Sequence, residues 1–375
     1  MAPSIAETVS TTSDQIHEKL VQLSVAEVKD SNGTHKEEPA PAVQDPVSEI
    51  QHKEPLKLSG ALDHFESFDV TPIIGREFVG VNLAKWLRAP NSDELIRDLA
   101  ITISQRGVVF FRKQDDITNH LQKELVQRLG ELSGKPSTSK LHIHPVSNSG
   151  RELGGKDDEI SVISSEQAKK IYKDRLLFQT EKKQSGKEGW HSDITFEPVP
   201  SDYALLRLTQ LPKTGGDTLW ASGYEVYDRI SAPVQKFLEG LTATYAQPKF
   251  NEAAAKNGFK IYTEARGAPE NSIFALGHHV QHINGLTEGE SKGLLDWFLR
   301  LVVDNHDLQV RHRWQNPNDL AIWDNRSVYH AATPDYIGLD LGERTGQRAV
   351  SLGEKPYFDP KSTGRREALA KAKEV

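Results

Sequence analysis

The sequence predicts a mostly β fold with flanking helices, arranged as an antiparallel sandwich or barrel. Several short apolar segments are rich in β-forming residues and are separated by Gly, Pro, Asn or Asp. Few long helical patterns lie between them, and the chain has no internal repeat. Many short strands with few intervening helices are typical of these β architectures. The segments are ITFEPV, YALLRLTQL, DTLWAS, LAIWDN and RAVSLG.

The first half of the chain adds helices to this pattern. A strand is predicted to start near Phe68, in FDVTPIIG, and GVVFFR is a second short run of β-branched and aromatic residues. Apolar residues three and four apart predict a helix from about Ser92 to Gln105. Two further helices are expected on the flanks, from about Asn119 to Gly130 and from about Thr287 to Val303.

Residues 1–55 are predicted to form a disordered N-terminal tail, followed by one domain over residues 56–375. The tail is rich in Ser, Thr, Glu, Lys and Pro, as in THKEEPAPAVQDPVSEIQHKEP. Such a composition cannot bury enough apolar surface to offset its ordering entropy. The piece from Ile16 to Val28 has helical spacing, but a helix this short is marginal without packing.

Composition excludes several classes of function. No apolar run is long enough to span a bilayer, and a net charge of -7 spread along the chain argues against nucleic acid as a partner. The chain has no cysteine, which rules out disulfides, thiolate nucleophiles and iron–sulfur clusters. Any metal must therefore bind to His, Asp or Glu. The N-terminus lacks the features of a secretory or mitochondrial leader, so a cytoplasmic location is expected, and a homo-oligomer stays open.

A candidate metal site begins with His191 and Asp193 in WHSDITFEPVP. Residues two apart on a strand face the same side, so an imidazole and a carboxylate would converge there. A glutamate also stands two positions after His35 and His52 in the tail and after His64 at its border. The pair is not diagnostic by itself, because a solvated charged surface shows it as well.

A second histidine completes the set. His330 follows a strand-like run in AIWDNRSVYHAATPDY. Two histidines and one carboxylate form the facial triad that leaves open positions on Fe(II) for an oxo acid and O2. The alternatives are a core histidine that bonds a backbone carbonyl, and a zinc hydrolase that uses the same triad.

Two more clusters suggest an anion site. Thr218 begins the strand-like run in LPKTGGDTLWAS, whose Gly-Gly pair is too short for a phosphate loop. Arg344 and Arg348 in GERTGQRAVSLGEKPYF are four apart, so on a strand they share one face. Two guanidiniums that point the same way repel unless an anion lies between them, and each can bind a carboxylate or sulfonate through two hydrogen bonds. The alternative is a pair of surface arginines beside a turn.

These four clusters, in this order, resemble the TauD/TfdA family of Fe(II)/2-oxoglutarate-dependent dioxygenases, and especially its fungal sulfonate (taurine) dioxygenase-like branch. The resemblance runs from about Thr71 to about Phe358 and rests on WHSDITF, TGGDTLWAS, WDNRSVYH and RAVSLGEKP. It implies a double-stranded β-helix core, a jelly roll of the cupin type. It also implies Fe(II) as the metal, with 2-oxoglutarate and O2 as cosubstrates.

The resemblance assigns a role to individual residues of the metal and cosubstrate sites. It implies that His191, Asp193 and His330 hold the iron. It implies that Thr218 and Arg344 hold the distal carboxylate of 2-oxoglutarate.

The substrate residues also follow from the resemblance. Arg348 is expected to reach both the cosubstrate and an acidic group of the substrate, while His144 in LHIHPV and Phe196 line the pocket. Ser147 stands where the taurine enzyme has a tyrosine, and Lys187 stands where it has an asparagine. Both departures put taurine itself in doubt as the substrate.

The implied reaction is oxidation of a C–H bond in a small anionic or zwitterionic substrate. An alkanesulfonate such as taurine ranks first and would give an aldehyde and sulfite, with succinate and CO2. The alternative is a small amino acid or secondary-metabolite intermediate, which the same iron chemistry would hydroxylate, desaturate or close to a ring such as an aziridine. A binding module that keeps a metal-binding jelly roll without catalysis is a further alternative.

Overall fold

The protein is represented by a computed structural model that describes residues 53–146, 157–171, 186–258, 276–357, 359 and 361–373. These residues belong to a unit that spans His52–Val375. The predicted tail lies outside the described residues except for positions 53–55, and so does the predicted helix over residues 16–28. The boundary at residue 55 therefore stays a prediction.

The described strands form three sheets. A seven-stranded sheet has the order β1-β2-β3-β10-β5-β12-β4, a three-stranded sheet has the order β11-β6-β9, and β7 pairs with β8. The strands are β1 (Ser67–Asp69), β2 (Arg76–Phe78), β3 (Val108–Phe111), β4 (Ser161–Ser164), β5 (Ser201–Gln210), β6 (Thr218–Ser222), β7 (Ala243–Tyr245), β8 (Val280–Ile283), β9 (Gln309–His312), β10 (Leu320–Asp324), β11 (Val328–Ala332) and β12 (Thr345–Leu352). The pairings are antiparallel apart from β2 with β3.

Helices cover the outer faces of the sheets. Two of the longer helices begin with a side-chain cap: Thr118 caps the helix over Asn119–Leu132, and Thr287 and Glu290 form a capping box before the 16-residue helix over Glu288–Val303. The helices are α1 (Leu83–Trp86), α2 (Ser92–Arg106), α3 (Asn119–Leu132), α4 (Ser165–Ile171), α5 (Gly223–Asp228), α6 (Ala232–Leu238), α7 (Pro248–Asn257), α8 (Glu288–Val303) and α9 (Arg365–Lys373). The three helices predicted from sequence are confirmed as α2, α3 and α8.

Strand β3 shows how the layers are built. Val108 and Phe110 point into a core shared with Trp220 of the three-stranded sheet. Val109 and Phe111 point the other way, into a core formed with helices α1 to α3. Because successive strand residues face opposite sides, one all-apolar strand fills both layers. The site described below opens where the two sheets face each other.

One strand prediction is wrong. Residues 193–199, which include all of ITFEPV, form turns and bends instead of a strand. Ile194 has φ of 63°, in the left-handed region, and its carbonyl accepts a hydrogen bond from the Glu197 N–H. A β-branched residue in this region is a conformational outlier, so the β-forming composition could not reveal the turn.

The described helices offer no candidate for a membrane span, because none is both long and apolar enough.

Candidate metal centre

The two candidate histidines are neighbours through a backbone bridge. His330 lies in β11, and its N–H donates to the carbonyl of His191 at 2.8 Å, while the N–H of His191 donates to the carbonyl of His330 at 3.0 Å. The two imidazole centroids are 4.3 Å apart. The pairing places both rings at the edge of the three-stranded sheet.

Asp193 reaches the same place from a turn, and a buried asparagine fixes its backbone. The Asp193 N–H donates to Oδ1 of Asn325 at 2.9 Å, and Nδ2 of Asn325 donates to the Asp193 carbonyl at 2.7 Å. Ser192 Oγ donates to the Asn325 carbonyl at 2.6 Å. The convergence of the histidine and the carboxylate is therefore as predicted, but the shared strand face that was offered as its cause is wrong.

The three side chains form a group that could hold a metal ion. Candidate ligand atoms of His191, Asp193 and His330 all lie within 4.8 Å of one another. We call this group the triad. Nδ1 of His191 lies 2.8 Å from the Gly189 carbonyl, and a hydrogen bond there leaves Nε2 free to bind a metal. Oδ2 of Asp193 is buried and makes no hydrogen bond within the described part of the chain, which fits a cation at this position.

The ionisation states also suit a metal. Burial, reinforced by the neighbouring His191, lowers the pKa of His330 to about 3. Burial alone would raise the pKa of Asp193, but Arg348 and the histidines hold it well below its usual value. A neutral imidazole beside an ionised carboxylate is the ligand form that a divalent cation requires.

Arg348 lies directly beside the triad. Its Nη1 donates to Oδ1 of Asp193 at 2.7 Å, and both side chains are buried. The guanidinium therefore has a counter-charge within the protein and does not depend on a substrate anion for one. Its assigned contact with the substrate stays a prediction.

Thr218 and Arg344 meet at a second position in the same cavity. Nη2 of Arg344 donates to Oγ1 of Thr218 at 3.1 Å, and its Nε donates to the Gly216 carbonyl at 2.8 Å. Burial lowers the pKa of Arg344, partly offset by Tyr336 and Asp217. Arg344 is buried, and among the described residues no carboxylate forms an ion pair with it. A buried guanidinium of this kind could bind an anionic ligand through charge-assisted hydrogen bonds.

One cavity of about 810 Å³ joins these groups. Its lining includes the triad, Thr218 and both arginines, together with His144 and Phe196 as predicted from sequence. Ser147 lies outside the described residues. Lys187 is exposed on a 3-10 turn and is not among the residues that line the cavity.

Sequence reasoning missed two parts of the lining. His278 and His279 lie beside the triad, with ring centroids 4.7 and 5.9 Å from that of His191. Helix α7 contributes Lys249 and Phe250. Pro248 at the start of α7 was a detectable signal for a helix, but nothing in the sequence indicated which face the helix turns to the cavity.

Aromatic rings connect α7 to the triad. Phe250 contacts Phe196 edge to face at 5.4 Å and His144 at 5.1 Å. Phe196 in turn contacts His279 at 4.9 Å. Edge-to-face packing holds such rings in defined positions. We call these four residues the aromatic wall.

Comparisons with known proteins agree with this geometry. The sequence profile described as "Taurine catabolism dioxygenase TauD, TfdA family" matches residues 66–350. The chain belongs to the TauD/TfdA family. It is 51% identical over 347 residues to the "Alpha-ketoglutarate-dependent dioxygenase btcD" of Neocamarosporium betae, covering 84% of this chain and 98% of that protein.

More distant members support the branch and the fold. The chain is 30% identical over 308 residues to a "Putative alpha-ketoglutarate-dependent sulfonate dioxygenase" of Schizosaccharomyces pombe, covering 79% of this chain and 71% of that protein. A crystal structure of a "Putative Alpha-ketoglutarate-dependent Taurine Dioxygenase" from Burkholderia xenovorans superposes with a TM-score of 0.58 at 23% identity, covering 80% of this chain and 96% of that chain. The jelly-roll prediction is confirmed.

This TauD/TfdA member is thus a non-haem iron, 2-oxoglutarate-dependent dioxygenase. Fe(II) is its metal, and 2-oxoglutarate and O2 are its cosubstrates. Family membership removes the non-catalytic module and the zinc hydrolase as alternatives.

Proposed function

We propose that the triad holds Fe(II), that Thr218 and Arg344 hold the distal carboxylate of 2-oxoglutarate, and that the enzyme oxidises a C–H bond of a small organic anion. The observation that carries this proposal is the buried Arg344, which pairs with no carboxylate of the described residues and lies in the same cavity as the triad. Iron with these cosubstrates supplies the oxidising power that removes a hydrogen atom from a C–H bond and returns a hydroxyl group.

The residues of the chain position the reactants for that chemistry. Arg344 and the Thr218 hydroxyl are hydrogen-bond donors that match a carboxylate, which only accepts. Arg348 keeps Asp193 ionised, and the burial of both side chains strengthens this charge interaction.

Charge supports an anionic substrate. The positive charges of iron(II), Arg344 and Arg348 exceed by one the negative charges of Asp193 and dianionic 2-oxoglutarate. His330 is neutral and adds no charge to this sum. A monoanion or a zwitterion with its anionic end inward would balance the loaded site. Helix α7 adds Lys249, Glu252 and Lys256 to the lining, which together carry one further positive charge.

The size of the cavity helps to indicate which anion is the substrate. Pockets for drug-sized ligands measure roughly 300 to 1,000 Å³, and a cavity of about 810 Å³ has room for 2-oxoglutarate and a substrate together. The aromatic wall presents apolar surface to the substrate. An alkanesulfonate with a body bulkier than taurine is the first candidate. The second, favoured by the same volume, is an amino acid or secondary-metabolite intermediate that is hydroxylated, desaturated or cyclised, for example to an aziridine.

The test is substrate-stimulated succinate release with matched sulfonates, carboxylates and neutral amides or alcohols of equal chain length. We expect kcat/KM for the anions to exceed that for neutral analogues by about tenfold or more, as the loss of one favourable charge contact predicts. Equal turnover of neutral analogues would refute the anionic substrate and leave the dioxygenase assignment standing. We also propose that the enzyme is cytoplasmic, which fractionation of cells would test.

A further inference from the structure

The hydroxyl of Thr218 accepts two hydrogen bonds. Nε1 of Trp314 donates to Oγ1 at 3.1 Å, and Nη2 of Arg344 donates to the same oxygen at 3.1 Å. An indole N–H and a guanidinium can only donate, and a hydroxyl has two lone pairs and one hydrogen. Both lone pairs of this hydroxyl are therefore in use.

The hydrogen of the Thr218 hydroxyl is left to point into the cavity. Within the described part of the chain, no hydrogen bond has this hydroxyl as its donor. Thr218 is 3% exposed, and it lines the cavity that contains the triad. The hydrogen must therefore be offered to whatever occupies the cavity beside Arg344.

The indole that imposes this arrangement is held firmly. Trp314 follows β9, and the last residue of β9, His312, is paired with Thr218 across the three-stranded sheet. The Trp314 ring contacts His312 edge to face at 4.8 Å and lies 6.5 Å from the ring of Trp220. Trp314 is 7% exposed, so burial and ring contacts together fix the direction of its N–H.

We propose that Trp314 is a positioning residue for the distal carboxylate of 2-oxoglutarate. By occupying one lone pair of Thr218, it makes the hydroxyl a donor toward that carboxylate. Without it the hydroxyl can rotate, turn a lone pair toward the carboxylate and repel it. The inference rests on the proposed role of Thr218 and Arg344 as the carboxylate site.

Trp220 provides a matched control. Its ring is fully buried in the same apolar cluster, but its Nε1 has no hydrogen-bond partner among the described residues. Trp314→Phe and Trp220→Phe remove the same atoms from the same cluster. Only Trp314→Phe removes a hydrogen bond to Thr218.

The experiment uses calorimetry on the full chain loaded with Mn(II), which allows binding to be measured without turnover. The ligands are 2-oxoglutarate and 2-oxobutanoate, which keeps the oxo acid but lacks the distal carboxylate. We expect Trp314→Phe to weaken 2-oxoglutarate binding about two- to twelvefold, the range for one net hydrogen bond, and to leave 2-oxobutanoate unchanged. Trp220→Phe should change neither.

Thr218→Val adds a test of the route by which Trp314 acts. In a Thr218→Val background, Trp314→Phe should have no further effect on 2-oxoglutarate, because the hydroxyl it orients is gone. If phenylalanine at position 314 unfolds the chain, Trp314→benzothienylalanine keeps the ring shape without the N–H. The same binding comparison then applies.

Each remaining outcome overturns the proposal. Equal weakening of both ligands, or equal effects of the two tryptophan variants, would show that Trp314 only supports packing. If Trp314→Phe weakens 2-oxoglutarate binding as much in the Thr218→Val background as in wild type, Trp314 acts by another route. Unchanged 2-oxoglutarate binding in Arg344→Met would refute the carboxylate site itself and this inference with it. Loss in Arg344→Met without loss in Trp314→Phe refutes the inference alone.

Discussion

Replacing Arg344 by methionine should change stability and cosubstrate binding in opposite directions. Arg344 is buried, pairs with no carboxylate in the part of the chain that the structure describes, and has a pKa that burial lowers, so the apoprotein holds a poorly compensated charge. An uncompensated buried charge costs several kcal/mol, whereas its two hydrogen bonds to Gly216 and Thr218 contribute about 1 kcal/mol each. Arg344→Met should therefore raise the unfolding free energy of the apoprotein by about 1 to 2 kcal/mol.

The same change should remove most of the stabilisation by 2-oxoglutarate. At a concentration of about 100 times Kd, the ligand stabilises the Mn(II)-loaded wild type by about 2.7 kcal/mol. Loss of a buried charged contact costs about 2 kcal/mol or more, which raises Kd by about 30-fold or more. At the same concentration, the stabilisation of the variant falls below about 1 kcal/mol.

Thermal unfolding with and without 2-oxoglutarate measures both effects. Arg112→Met is the control, because Arg112 pairs with Glu77 at 3.0 Å and Asp319 at 2.9 Å and is not among the residues that line the cavity. We expect it to lower apoprotein stability and to keep the full ligand-induced rise in Tm. An Arg344→Met protein that is less stable than wild type, or that keeps the wild-type rise, refutes the reasoning.

Three further predictions concern the triad and the buried core. His330→Ala and Asp193→Ala should both abolish Mn(II) binding in calorimetry, but Asp193→Ala should also lower stability by about 3 kcal/mol because its arginine partner is left unpaired; equal stabilities would contradict this. Ile194→Gly should be about 1 kcal/mol more stable than Ile194→Ala because of the positive φ, while Val328 in strand β11 should show the opposite order in denaturant unfolding. Burial, followed by the charge of Arg112, lowers the pKa of His312 in the folded protein to about 3. As the pH falls below about 6.5, the unfolded chain therefore binds a proton at this histidine and the folded protein does not. Because of this group, the unfolding free energy of wild type should fall by about 2 kcal/mol between pH 7 and 5. His312→Phe should reduce this dependence on pH; an unchanged dependence would show that His312 is not buried as a neutral ring.

The residues that make the core, and the three residues that come together in the triad, were largely predictable. Strand patterns such as YALLRLTQL and LAIWDN became β5 and β10, because continuous apolar runs fit strands that are buried on both faces. The two arginines expected on one face of a strand both line the cavity, although Arg344 precedes the first residue of β12.

Long-range contacts were not predictable in the same way. The turn at Ile194 depends on Asn325, 132 residues away from Asp193, which holds the backbone beside it. The β propensity of this segment favoured a strand. Such a local property carries no information on the contact between Asn325 and the backbone of Asp193. The pairing of Arg348 with Asp193 joins residues 155 positions apart and is equally invisible in local patterns.

If the proposed function holds, different parts of this fold determine the charge and the size of the substrate. The charge of the proposed loaded site would come from the triad, Arg344 and Arg348, which lie on or beside core strands and belong to the motifs that carry the family resemblance. The space beyond them is bounded by Phe250 and Lys249 of helix α7, outside those motifs. Relatives with the same core motifs can therefore share the preference for an anion and differ in its size. The shape presented by α7, more than the motifs, is thus the feature that should separate a taurine-sized substrate from a larger one.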